Sequence, residues 1–166
     1  YRILTGYPDG KTTNPENYDG KNTTGLSDVE TGVYYTAAVN YMVEKGYITG
    51  YADSKTFEPY KKVERQEFIT ILGRSDRFVP PNGPNMDIEI GEAAVQTTWA
   101  PDPWLRYNDG DTSAVWARKG LSWGIYHQLM AGDRDTLMLR PADAATRAEA
   151  AKMFLLYSTT VLGRYA

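Results

Sequence analysis

One pattern is written twice in this chain, at a fixed spacing. Gly50, Phe57, Pro59, Arg65 and Glu67 recur as Gly132, Leu139, Pro141, Arg147 and Glu149, every one of them 82 residues on. In both copies 15 residues separate the glycine from the arginine. An unbroken register across a turn, a loop and a helix start marks a repeat protein, whose fold is a repeated local unit.

Repeat A spans 25–78. From Tyr34 to Lys45 the apolar spacing predicts a helix, with Tyr34, Ala37, Ala38, Tyr41 and Met42 on one stripe. Gly46 is its expected stop. A turn-rich loop leads to Phe57-Glu58-Pro59, and a second helix is expected from Arg65 to about Arg74. Repeat B spans 106–161, with helices expected over 113–129 and 147–160. Trp116, Gly120, Trp123 and Ile125 are expected near the inner face of the first of these. Between the copies, 79–105 reads as a proline-rich connector, long for a small repeat. Residues 1–24 read as the degenerate tail of a third copy, since Leu4-Thr5-Gly6-Tyr7 parallels Ile48-Thr49-Gly50-Tyr51. Tyr1 is not a natural start, so a processed or excised piece is expected. The fold class that follows is mainly α, made of helix-loop-helix repeats with long loops.

Composition excludes several functions. A formal charge of −3 argues against general nucleic-acid binding, which needs a basic face. No apolar run approaches the roughly 20 residues of a membrane helix. There are no cysteines, hence no disulfides, thiolate metal sites or cysteine nucleophiles. His127 is the only histidine, and no catalytic set can be built around it from sequence. Asp109-Gly110-Asp111 and Asp133-Arg134-Asp135 lack the glutamate that closes a calcium loop. Neither an enzyme, nor a metal site, nor a cofactor is expected. The 13 tyrosines and 4 tryptophans suit wet interfaces and sugar surfaces, and equally a small helical core.

The chemistry concentrates in Thr146-Arg147-Ala148-Glu149. Thr146 and Glu149 have capping-box spacing, each satisfying a free N–H of the other's residue. Arg147 is not explained that way: a cation in the first turn opposes the helix dipole. Repeat A keeps Arg65 at the same place although the cap is now Glu64. An unfavourably placed cation that recurs implies an anionic partner. Two partners fit: a carboxylate of the neighbouring repeat, such as Asp28 or Asp109, or an anionic ligand held with the helix-start N–H groups.

These residues resemble a known family. Ser27-Asp28-Val29, Gly46-Tyr47-Ile48-Thr49-Gly50-Tyr51, Phe57-Glu58-Pro59 and Arg65-Gln66-Glu67-Phe68 are similar to the S-layer homology domain. So are Asp109, Trp116-Ala117, Trp123, Gly132, Leu139, Pro141 and Thr146-Arg147-Ala148-Glu149, the last being the family signature intact. The resemblance implies a pseudo-symmetric helical bundle at the bacterial cell surface, outside the cell. It implies non-covalent anchoring to an anionic, pyruvylated secondary cell-wall polysaccharide. Carried over by position, the ligand-binding candidates are Arg147 and Arg65, then Asp28, Asp109 and Trp116, with Arg65 the weaker site because Glu64 stands beside it. The alternative is a structural subunit of a surface layer or filament, with copies of itself or other layer subunits as partners.

Overall fold

The computed structural model describes residues 20–76 and 102–163. The expected third-copy tail falls largely, and the connector almost wholly, outside the described residues. Within them lie α1 (Thr36–Glu44), α2 (Arg65–Ser75), α3 (Arg118–Tyr126) and α4 (Arg147–Leu156), joined by turns and short 3-10 segments. No strand occurs among the described residues, only the isolated bridges Tyr51↔Thr56 and Glu64↔Ala144. The fold is mainly α, as the repeat spacing requires. The chain divides into two compact units, whose described parts are 20–61 and 62–76 with 102–163. The boundary falls inside repeat A: α1 belongs to the first unit, and α2 to the second with α3 and α4.

In the first unit, Leu26, Val29, Tyr35 and Val39 form the core, with Val33, Val43 and Phe57 packed against it. The buried residues of α1 are Thr36, Ala37, Val39, Asn40 and Met42. Tyr34, expected on the inner stripe, is 88% exposed, because the helix begins only at Thr36. Asn40 is buried by design of its partners: its amide donates to Lys21 O (2.6 Å) and its oxygen accepts from Thr23 N (3.1 Å). Those two bonds tie the segment before the repeat to α1 and offset the cost of burying an amide.

The sequence register is matched by a backbone register. Tyr47 and Ile48 N–H donate to Met42 O at the end of α1; Leu129 and Met130 N–H donate to Gly124 O at the end of α3. Tyr51 N donates to Thr56 O (2.8 Å), and Asp133 N to Met138 O (2.9 Å). Left-handed backbone recurs at the same places: Gly46 and Gln128, Lys55 and Leu137, Glu58 and Arg140. The non-glycine positions among them, two in repeat A and three in repeat B, are tolerated only where the surrounding bonds fix the turn.

Part of that fixing comes from Asp28 and Asp109. Asp28 accepts from the N–H groups of Phe57 and Glu58, both at 2.7 Å. Asp109 accepts from Leu139 N (2.6 Å) and Arg140 N (2.7 Å). Each carboxylate thus clamps the residue that leads into the left-handed position and that residue itself. In repeat B the turn tip is also held by Asp133, which accepts from Asp135 N, Thr136 N and the Thr136 hydroxyl.

The second unit is built on a close helix crossing. A Cβ added at Gly124 would stand 2.2 Å from Ile69 Cγ1, and one at Gly120 would stand 2.8 Å from Thr70 Cα. Two glycines one turn apart on α3 therefore let α2 approach to backbone contact. Around this crossing Ile69, Leu121, Trp123, Leu129, Leu139 and Tyr157 are almost fully buried. Phe68 of α2 meets Phe154 of α4 edge-on, with centroids 4.9 Å apart. The first helix of repeat B is shorter than expected. Ser113 and Ala114 are extended, Val115–Ala117 forms a 3-10 turn, and α3 starts at Arg118. Trp116, expected inward, consequently sits on that turn and is 39% exposed.

Candidate functional site

The repeated arginines stand at the first positions of α2 and α4. Both helices begin with a full capping box, Glu64 with Glu67 and Thr146 with Glu149. Locally the two mouths are alike. Their surroundings differ completely.

At the mouth of α2 the free donors are taken by repeat B. Arg65 N donates to Asp143 O and Gln66 N to Pro141 O, both at 2.9 Å, while Ala145 N donates back to Val63 O (2.9 Å). The Arg65 side chain is 4% exposed. Its Nε donates to Leu139 O (3.2 Å), its Nη2 to Ala131 O (3.1 Å) and its Nη1 to Glu149 Oε1. Arg140 Nη2 donates to the same oxygen at 3.0 Å. The guanidinium thus threads the repeat-B turn like a plug in a socket. Two carbonyls and a carboxylate replace the water it gives up, as a buried cation requires.

Glu149 holds this arrangement together. Burial pushes its carboxyl up, but the Thr146 N–H and hydroxyl, then Arg65 and Arg140, outweigh it and hold the pKa below the ordinary glutamate value. One oxygen caps α4 and the other takes both arginines. For Arg65 the expected anionic partner is therefore present, and it is a carboxylate of the neighbouring repeat. Asp28 and Asp109 had been the expected candidates; both are instead committed to backbone N–H pairs. For Asp28 burial works to raise the pKa, and the N–H groups of Phe57 and Glu58 bring it below the ordinary value.

Arg147 has no such surroundings. Its side chain is exposed and has no hydrogen-bond or ion-pair partner among the described residues. The contrast runs along the helix. On α2, Arg65, Gln66, Ile69, Thr70, Leu72 and Gly73 are buried. Their counterparts 82 residues on are Arg147, Ala148, Ala151, Lys152, Phe154 and Leu155; all are exposed except Phe154, which is half-buried. The face that α2 lays on α3 is the face that α4 leaves bare.

Of the expected site residues, Arg65 and Asp109 are brought into one network, through Arg140 and Glu149. Asp28 shapes the equivalent turn of the first unit. Arg147 and Trp116 both offer exposed surface. Glu149 was legible only as a cap, and Arg140 not at all. The register pairs Arg140 with Glu58, and that exchange of sign at a left-handed position was the available signal. Among the described residues no group of His, Asp or Glu is arranged to hold a metal ion.

A turn clamped by an aspartate, a glycine-framed loop and a capped helix opening on arginine, all repeated at one spacing, are matched by a single family model. The S-layer homology domain model fits residues 26–69 and again 106–151. The chain belongs to the S-layer homology domain family. No curated protein matches it. S-layer homology domains are in general cell-surface anchoring modules that bind cell-wall polymers, and the family is non-catalytic. No helix among the described residues is long and apolar enough to cross a membrane.

Proposed function

We propose that the chain anchors a surface protein to an anionic, pyruvylated secondary cell-wall polysaccharide, and that Arg147 is the residue that grips it. The observation that carries this reading is Arg147 at the mouth of a capped helix, exposed and without a partner among the described residues. The equivalent cation, Arg65, is fully engaged by two carbonyls and Glu149. A guanidinium matches a carboxylate in two parallel hydrogen bonds, and the first-turn N–H groups of α4 add donors beside it. Trp116 offers an exposed indole on which a sugar ring can stack. Asp28 and Asp109 contribute by fixing the turns, and Arg65 by joining α2 to repeat B. Calorimetry with purified wall polysaccharide tests the reading. Binding is expected with intact polymer and lost after mild acid removes the pyruvate ketals; equal binding to both preparations contradicts it.

A second reading, assembly of a surface layer or filament, is favoured by the bare face of α4. A helix with Ala148, Ala151 and Leu155 outward presents apolar surface that its counterpart α2 buries.

A further inference from the structure

The contact between α2 and the repeat-B turn has two halves, and the chain carries a second set of both. The first half is the helix mouth, with Arg65 as the plug. Its second version is the mouth of α4, with Arg147, Ala148, Ala151 and Leu155 exposed, Leu155 to 60%. The second half is the turn, with Ala131 and Leu139 carbonyls as the socket. By register, its other version offers the carbonyls of Thr49 and Phe57, which accept nothing among the described residues.

The two turns share their backbone hydrogen bonds and the left-handed residue that follows Phe57 and Leu139, and they differ at the glycine after Thr49 and Ala131, which is left-handed at Gly50 alone. They differ in how far they are covered. In repeat B, where the plug is in place, Leu139 and Pro141 are buried. In repeat A, Phe57 and Pro59 are only half-buried and the neighbouring Tyr60 is 75% exposed. A plug and a socket that are both unfilled among the described residues make a self-complementary pair.

We infer that the mouth of α4 in one copy docks on the 49–60 turn of a second copy, with the Arg147 guanidinium donating to the Thr49 and Phe57 carbonyls. The occupant is another copy of this chain, because the chain already contains this contact between its own repeats and carries a further example of each half among the described residues. The joint is heterologous: the two faces differ, so it closes into a ring or runs on as a filament. The inference rests on the assembly reading above.

The test is complementation, followed by analytical ultracentrifugation without wall polymer. Arg147→Glu removes the plug; Thr49→Arg places a cation at the mouth of the socket. Both sites are at least partly exposed, and circular dichroism checks that each variant folds. The wild type is expected to gain mass as concentration rises. Each variant alone is expected to stay monomeric, association weakening at least about thirtyfold. An equal mixture of the two variants has one intact plug and one intact socket, and is expected to recover a complex of two chains. A monomeric wild type at millimolar concentration overturns the inference, and so does a mixture that stays monomeric. Retention of Thr49→Arg on wall polymer separates this outcome from glycan binding, which that variant is expected to keep.

Discussion

Arg65 and Glu149 lie 84 residues apart in sequence and form a partly buried ion pair that locks the first repeat's second helix to the second repeat. The pair is one part of a larger exchange. Backbone bonds from Arg65 and Gln66 to Asp143 and Pro141, and from Ala145 to Val63, surround it. Removing Arg65 therefore leaves two carbonyls without their donor and Glu149 with Arg140 alone, and removing Glu149 leaves the buried guanidinium without its carboxylate. Arg65→Ala is expected to destabilise the second unit by about 3–5 kcal/mol, and Glu149→Gln by about 1–3 kcal/mol. Thermal and urea unfolding of both variants and their double mutant check this. A coupling near zero in the cycle contradicts it.

The same carboxylate sets an acid limit. The Glu149 pKa is depressed in the folded chain, first against burial and then by Thr146, Arg65 and Arg140. A depressed carboxylate contributes stability that is present above the ordinary glutamate value and lost as pH falls through the folded one. Stability is expected to fall as pH drops below the ordinary glutamate range. Glu149→Gln is expected to flatten that limb, while lowering stability at neutral pH. Unfolding free energy measured against pH in both proteins decides it.

The α2–α3 crossing depends on the absence of two side chains. Alanine at Gly124 meets Ile69 at 2.2 Å, and at Gly120 meets the Thr70 backbone at 2.8 Å. Each substitution is expected to cost about 1–3 kcal/mol through displacement of the helices, although alanine favours helix. The paired change Gly124→Ala with Ile69→Ala is expected to recover part of the loss, because Ile69 is the atom set in the way. No recovery contradicts the crossing geometry.

Asp28 and Asp109 are expected to act through the turns. Asp109→Asn keeps one acceptor oxygen for two N–H groups and is expected to cost about 1 kcal/mol; Asp109→Ala removes both and is expected to cost about 2–3 kcal/mol. If either residue touches glycan directly, polymer affinity falls with no change in stability. The expected result is the reverse, with melting temperature falling first.

Much of this was readable from the chain. The register of 82 placed the turn, both helix starts and both caps, because a repeated sequence imposes the same local bonds wherever it occurs. The existence of an anionic partner for Arg65 followed from the dipole argument. Its identity did not follow, because Glu149 already had a local role as a cap and its second role depends on two repeats meeting. Helix phase was the other failure. Tyr34 and Trp116 both fit an inward stripe on paper, yet each precedes the residue where its helix begins, so neither follows the helix's rotation. The bare face of α4 was hidden for a related reason. Apolar residues on a helix become core only with a tertiary neighbour, which this face has in α2 and lacks in α4 among the described residues.

The central claim is that Arg147, which has no partner among the described residues, is the arginine that binds. Retention of Arg147→Ala and Arg147→Lys on purified wall sacculi tests it most directly, with wild-type protein alongside. Affinity is expected to fall at least about tenfold for alanine, with lysine restoring part of it through charge alone. Unchanged retention of the folded alanine variant contradicts the account.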